Sequence, residues 1–93
     1  MGIQTVTKDE EKIAELVDKP FTLILHNDDH STFDWVINCL IRICNHNVES
    51  ATQIAYIVHY KGKSEVRRGE LDKLTNMKDR LANCGLTCSI EKN

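Results

Sequence analysis

The chain has 93 residues, 41% of them hydrophobic and 28% charged, and a formal net charge of −2 at pH 7. This length is typical of one domain with a modest core, which leaves little room for an elaborate enzyme active site. The slight negative charge argues against general nucleic-acid binding, and no apolar run is long enough to span a bilayer.

Residues 1–19 are polar and rich in charge, and they lack the basic and apolar regions of a signal peptide. Their few apolar side chains cannot hold an isolated helix in water. We therefore expect a flexible N-terminal arm over residues 1–19 and a folded domain over residues 20–93, with Pro20 at the boundary.

The nearly continuous apolar run from Phe21 to His26 predicts a first strand that is central in its sheet or covered on both faces. The polar stretch Asn27-Asp28-Asp29 follows directly. Its carboxylate and amide oxygens can accept hydrogen bonds, and an ammonium group offers three donors. The alternative is an Asx-turn that only reverses the chain.

Helical periodicity then covers two segments. The first runs from Thr32 to about Asn45, with Ser31 or Thr32 as its N-cap and Asn45 able to adopt the left-handed conformation at its end. The second runs from about residue 48 to residue 60, and Gly62 is expected to end it.

The remainder predicts an exposed edge strand over residues 63–68, a third helix over residues 70–83 and a last strand over residues 86–90. The apolar stripe expected for the third helix consists of Leu71, Leu74, Met77 and Leu81. Helices that cover one side of a small sheet give a two-layer α+β domain.

Cys39, Cys44, Cys84 and Cys88 could form two disulfides, but no secretory signal accompanies them. We interpret them as reduced thiols of a cytoplasmic protein that pack as small apolar groups. A zinc site is the alternative, although their spacing differs from that of a zinc ribbon.

Two patterns that contain histidine each allow a structural or a functional interpretation. His59 falls on the apolar face of the second helix, where it is either a hydrogen-bonded core residue or a binding residue. The loop residues His26, Asp28, Asp29 and His30 could form a metal site if their side chains converge.

Four stretches together resemble the ClpS family, the bacterial adaptors for N-degron substrates. They are residues 23–29 (Leu-Ile-Leu-His-Asn-Asp-Asp), 48–53, 58–63 (Val-His-Tyr-Lys-Gly-Lys) and 86–92. The resemblance covers most of residues 20–92. It implies a three-stranded antiparallel sheet backed by three helices.

The resemblance also implies a binding site for a substrate N-terminus. Asn27, Asp29 and His59 would hold the α-ammonium and the first peptide unit, while Asp28 would add charge or loop structure. The pocket for the first side chain would be lined by Ser31, Phe33, Val36, Leu40, Ala55, Val58 and Leu86.

The sequence departs from the family pattern around this pocket. Phe33 and Ala55 stand where methionine is usual or frequent, and His30 and Thr32 replace a tyrosine and a proline. A bulkier residue at one wall and a smaller one at another are expected to change which first residues are accepted.

The function implied by the resemblance is that of a non-enzymatic, monomeric adaptor. It would bind proteins with a bulky hydrophobic N-terminal residue and deliver them to the N-terminal domain of a ClpA- or ClpC-type AAA+ unfoldase. We expect no cofactor, metal, nucleic acid or membrane partner. Glu70 and Lys78 are candidates for unfoldase docking, and the arm could serve delivery.

Two other classes of function are considered beside the adaptor. One is a small metal-binding domain that uses the histidine and aspartate loop, which a metal assay would distinguish. The other is a recognition module of the ubiquitin-ligase kind, which a free-standing chain of this size disfavours.

Overall fold

The computed structural model describes residues 19–93, and the first eighteen residues, which hold nearly all of the predicted arm, lie outside that part. The elements in chain order are β1 (Phe21–His26), α1 (Phe33–Cys44), α2 (Val48–Lys61), β2 (Lys63–Gly69), α3 (Leu71–Asn83) and β3 (Thr87–Lys92). This confirms the predicted α+β fold of three helices and a three-stranded sheet. No helix within residues 19–93 is both long and apolar enough to cross a membrane.

Strand β1 lies at the centre of the sheet, which has the order β2-β1-β3 and is antiparallel on both sides. Four consecutive residues of β1, from Thr22 to Leu25, are buried. The predicted central position of β1 and edge position of β2 are therefore confirmed.

The core forms on the face of β1 that carries Leu23 and Leu25, both of which are almost completely buried. Side chains in a strand alternate between faces, so these two residues lie on the same side. They pack in one cluster with residues of all three helices, including Cys39, Leu40, Ile43, Cys44, Ala51, Ile54, Val58, Leu74 and Leu81. This packing fixes β1 against the helices and leaves its C-terminal end at the start of the polar loop.

Strand β2 contains a β-bulge, and hydrogen bonds at this bulge join β2 to the connection between α1 and α2. The register slips after Leu23, which lies opposite Arg67, and leaves Val66 as an extra residue on β2. The carbonyl oxygen of Val66 accepts a hydrogen bond of 2.7 Å from Nε2 of His46, and Nε of Arg67 donates one of 2.7 Å to the carbonyl oxygen of Cys44. These bonds hold the start of α2 in place relative to the sheet.

The helix ends agree with the predicted capping residues. Thr32 caps α1, because its Oγ1 accepts a hydrogen bond of 3.1 Å from the backbone N–H of Trp35. Asn45 ends α1 with a φ of 59° and Gly62 ends α2 with a φ of 90°, both in the left-handed region. Both helices therefore begin and end within one residue of the predicted positions.

The predicted apolar stripe of α3 is wrong at its first position. Leu74 and Leu81 are buried, but Leu71 is 49% exposed. Leu71 is the first residue of the helix, and helical side chains lean toward the helix N-terminus. Its side chain therefore leans away from the turns of α3 that pack on the sheet.

All four cysteines are free thiols, as predicted. Burial raises the pKa of Cys39 and of Cys44 to about 11 and that of Cys88 to about 12. These three side chains therefore stay protonated at neutral pH and pack as small apolar groups. Within residues 19–93 no group of three or more potential ligands could hold a metal, so the zinc alternative has no support.

Candidate functional site

The polar loop after β1 is organised by the side chain of Asp28. Its Oδ1 accepts hydrogen bonds from the backbone N–H groups of His30, at 3.0 Å, and Ser31, at 2.6 Å. This is the Asx-type turn that the sequence allowed, and it leads into the Thr32 cap of α1. The turn thus sets the direction in which the loop enters α1.

These hydrogen bonds also determine the charge of Asp28. Partial burial by itself would raise the pKa of this carboxyl group. The hydrogen bonds from the backbone N–H groups of Ser31 and His30, and from the hydroxyl of Ser31, lower it by more. The pKa of Asp28 therefore lies below its ordinary range, and the side chain carries a firm negative charge at neutral pH.

A backbone hydrogen bond joins the loop to the C-terminal end of α2. The N–H group of Asn27 donates to the carbonyl oxygen of Gly62 at 2.8 Å. His59 lies less than one turn before Gly62. The bond therefore brings the start of the loop and the last turn of α2 to the two sides of one depression.

This depression, which we call the outer cavity, is open to solvent, and its empty volume of about 260 Å³ includes some of that solvent space. It is lined by Asn27, Ser31, Phe33, Val36, Ala55, Val58 and His59. Ala55 and Val58 are buried and form its base, whereas Asn27, Phe33 and His59 are exposed and form its mouth. The cavity therefore has an apolar base and a mouth that carries polar groups.

A second cavity of about 210 Å³, here the inner cavity, adjoins the first. The two share four lining residues, and the inner cavity adds the buried side chains of Leu25 and Leu86 together with His26 and Asp28. Apolar space thus continues from the outer cavity toward the core, and the Asp28 carboxylate lies beside it.

Most residues expected to line a pocket do so. Ser31, Phe33, Val36, Ala55 and Val58 line the outer cavity, and Leu86 lines the inner one. Leu40 lines neither of these cavities, because it is fully buried within the core cluster. Leu40 was identified from helical periodicity and family resemblance, which do not distinguish a pocket wall from the core behind it.

The two loop aspartates take different positions, and the role that the resemblance implied for each stays a prediction. Asp29 is exposed and lines neither cavity, whereas Asp28 lines the inner one and also orders the loop. The Asx-turn causes this difference, because it directs the Asp28 side chain back toward Ser31. Sequence alone cannot distinguish two adjacent carboxylates whose directions depend on a turn.

His59 was expected on the apolar face of α2, but it is exposed. It follows the buried Val58 by one residue, which is a rotation of about 100° around the helix. This rotation places His59 at the border of the apolar stripe. The structure therefore contradicts the interpretation of His59 as a core residue, and His59 lies at the mouth of the outer cavity.

The alternative metal site in the loop has no support in the structure. Nε2 of His26 lies 2.7 Å from Oγ of Ser89 on β3, and His30 is largely exposed with its Nδ1 3.7 Å from Oδ1 of Asp28. The four residues therefore do not converge, and no group of potential ligands suited to a metal occurs in the described part of the chain.

Four aromatic rings form a continuous ridge beside the mouth of the outer cavity, which we call the aromatic ridge. The centroid of the Phe33 ring lies 5.1 Å from those of Tyr56 and His59. Tyr60 stacks on Tyr56 at 5.9 Å and meets His59 edge-on at 4.9 Å. Tyr56 and Tyr60 lie one turn apart on the same face of α2, and the packing of α1 against α2 brings Phe33 to Tyr56.

The two candidate docking residues lie at the N-terminal end and in the middle of α3. Glu70 is the exposed N-cap of this helix and makes no side-chain capping bond, and Lys78 is half-buried near its middle. Neither lines the outer or the inner cavity. Their role in docking therefore stays a prediction.

The chain is similar to known proteins both in sequence and in structure. Residues 17–89 match the model of the family described as ATP-dependent Clp protease adaptor protein ClpS. The Clp protease adapter protein ClpS of Escherichia coli O1:K1 is 39% identical over 57 residues, or 59% of this chain and 54% of that protein. ClpS of Serratia proteamaculans gives the same values. The chain thus spans about half the length of the curated relatives it matches.

One solved structure is that of Agrobacterium tumefaciens ClpS2 bound to L-phenylalaninamide. It matches with a TM-score of 0.77 and 18% identity, over 81% of this chain and 98% of that one. At this identity the likeness supports the fold alone, whereas the family match covers most of the sequence. The chain therefore belongs to the ClpS family of adaptor proteins of the ATP-dependent Clp protease.

Proposed function

We propose that this chain binds proteins with a free N-terminal ammonium group and a bulky hydrophobic first residue, and delivers them to a ClpA- or ClpC-type AAA+ unfoldase. The observation that carries this proposal is the outer cavity, whose buried base of Ala55 and Val58 opens between Asn27 and His59. An apolar base with a few convergent polar groups is typical of a ligand pocket.

The first side chain of the substrate enters this apolar space. Burying a large apolar side chain contributes about 1.5–3 kcal/mol. The narrow, partly open cavity suits one side chain better than an extended ligand. The ligand of A. tumefaciens ClpS2, L-phenylalaninamide, is an amine with one large aromatic side chain, and it fits this chemistry.

The α-ammonium group is held between Asn27 and His59 at the mouth and Asp28, which lines the adjoining inner cavity. The amide oxygen of Asn27, the Asp28 carboxylate and a neutral imidazole nitrogen of His59 can accept its three N–H groups. We assign this role to Asp28 instead of Asp29, because only Asp28 lines the apolar space.

Delivery involves no covalent chemistry on the substrate. The chain acts as a monomeric, cytoplasmic adaptor that contacts the unfoldase through another surface, for which Glu70 and Lys78 are candidates. A reconstituted Clp protease should degrade a Leu-initiated substrate faster when this chain is present.

A peptide panel that varies only the first residue tests the proposal. Fluorescence anisotropy should give Leu, Phe, Tyr and Trp at least roughly tenfold tighter binding than Ala, Asp or Lys, since tenfold corresponds to about 1.4 kcal/mol. Equal affinity across the panel would contradict the apolar pocket.

A matched pair of variants tests the assignment of the carboxylate. Asp28→Asn keeps an oxygen that can accept the loop hydrogen bonds but loses the charge, so it should weaken binding of a Leu-initiated peptide by at least roughly tenfold. Asp29→Asn removes the same charge from an exposed position and should have a much smaller effect. A larger loss of affinity for Asp29→Asn than for Asp28→Asn would instead assign binding of the ammonium group to Asp29.

A further inference from the structure

The two tyrosines of the aromatic ridge have no part in the proposed grip on the first residue. Tyr56 and Tyr60 line neither cavity, yet they are 50% and 73% exposed. Both lie on the outer side of α2, one turn apart, with their rings only 3° from parallel. A fixed pair of exposed aromatic rings beside a pocket offers apolar surface that the pocket itself does not use.

The ridge is continuous with the mouth of the outer cavity. Phe33 and His59 line that cavity, and both also contact the tyrosine rings, Phe33 through Tyr56 and His59 through Tyr60. Ring contacts therefore extend without a break from the cavity mouth to the exposed face of Tyr60.

A bound peptide has to leave the cavity through this mouth. The buried base is closed by Ala55 and Val58, and the exposed lining residues are Asn27, Phe33 and His59. A first side chain that points toward the base leaves its carbonyl group and the second residue at the mouth. Side chains at this distance from the pocket can reach the rings of Tyr56 and Tyr60.

We propose that the aromatic ridge is a second subsite, which binds an aromatic side chain at the second residue of the substrate. This inference rests on the proposed function of the pocket and adds a preference at the next position. Aromatic pairs in offset-stacked or edge-to-face geometry are favoured by about 0.5–1.5 kcal/mol beyond their area burial, or roughly two- to tenfold in affinity. The ridge already holds its own rings in such geometries, so little ordering is needed when another ring binds.

Two Leu-initiated peptides that differ only at the second residue, Phe or Ala, test this proposal by fluorescence anisotropy. The parent chain should bind the Leu-Phe peptide roughly two- to tenfold more tightly than the Leu-Ala peptide. Tyr56→Ala and Tyr60→Ala should bring this ratio close to one while affinity for the Leu-Ala peptide stays within about twofold. Ile57→Ala is the matched control, because Ile57 is 41% exposed on the same helix outside the ridge, and it should keep the parent ratio.

The possible failures can be told apart. Tight binding of both peptides with a ratio near one, or a ratio that survives both tyrosine substitutions, overturns the second subsite and leaves the pocket intact. Failure of the parent chain to bind even the Leu-Ala peptide overturns the proposed function and the subsite with it. Dimerisation that Tyr56→Ala abolishes, together with a ratio near one, would assign the ridge to a contact between copies and also overturns the proposal.

Discussion

Asp28 ionises more readily in the folded chain than in the unfolded chain. Partial burial opposes ionisation, but hydrogen bonds from Ser31 and His30 more than compensate, so the folded-state pKa lies below the ordinary value. The unfolded chain then binds more protons in the acid range, and stability rises with pH there. This stabilisation is fully present at pH values above the pKa of Asp28 in the unfolded chain. It is lost as the pH falls through the lower pKa of Asp28 in the folded chain.

We predict that Asp28→Asn flattens this acid dependence. The free energy of unfolding of the parent chain should fall more steeply than that of the variant as the pH drops from about 5 to about 2. Urea titrations of both proteins across this range measure the two slopes. Identical slopes would contradict the hydrogen-bonded role of the carboxylate in the loop.

Phe33 is expected to control which first side chains enter the pocket. It is 36% exposed at the cavity mouth, with its ring held between those of Tyr56 and His59. Val and Ile carry bulk on Cβ, close to the substrate backbone. Phe33→Ala should therefore improve Val and Ile binding by roughly fivefold relative to Leu, as expected from about 1 kcal/mol of relieved overpacking.

Anisotropy with peptides that are identical after the first residue decides this prediction. Ala55→Met is the opposing control, because it fills the buried base and should penalise Trp most. If Phe33→Ala lowers affinity for every first residue alike, Phe33 is a packing residue and not a gate.

At the residue scale, the sequence predicted which residues line the cavities better than it predicted where individual side chains point. Ser31, Phe33, Val36, Ala55 and Val58 were expected to line a pocket and do line one. The different positions of Asp28 and Asp29 depend on two backbone hydrogen bonds to Asp28, which the spacing of the two residues does not reveal. The exposure of His59 depends on one step of helical rotation at the border of an apolar stripe.

At the element scale, local sequence features predicted most of the ends of the helices and strands. The apolar run of β1, the Thr32 cap and the left-handed residues Asn45 and Gly62 act locally, so they could be identified from the sequence. The bulge at Val66 could not, because it arises from pairing with β1 and from the hydrogen bond of His46 across the domain. Long-range register of this kind leaves no local signal.

The N-terminal segment is expected to act separately from the pocket. Every described residue that lines the outer or inner cavity lies beyond Pro20. Deletion of residues 1–17 should therefore leave affinity for a Leu-initiated peptide within about twofold of the parent value. The same deletion should abolish delivery of a Leu-initiated substrate to a reconstituted Clp protease.

Peptide anisotropy and a degradation assay on the same truncated protein separate the two effects. Full-length chain added to the same protease is the control for delivery. Continued acceleration of degradation by the truncated chain would show that the arm is not needed for delivery.

At the scale of the whole molecule, the architecture brings the loop after β1 and the last turn of α2 together. The hydrogen bond from Asn27 to Gly62 closes this junction, and the packing of α1 on α2 adds Phe33 from a third element. The similarity to A. tumefaciens ClpS2 at 18% identity indicates that this architecture tolerates extensive change in sequence. Because one fold can support several activities, we expect function to depend on the few residues at this junction.

The proposed function requires the pocket to recognise a free N-terminus together with a bulky side chain. Acetylation of a Leu-initiated peptide removes the charge and most N–H donors of its N-terminus but leaves the leucine side chain unchanged. Fluorescence anisotropy of the free and acetylated forms against the same protein is therefore the most direct measurement. We predict at least roughly tenfold weaker binding of the acetylated peptide, the minimum expected from the loss of a charge-assisted hydrogen bond. Equal affinity for the two forms would contradict the account.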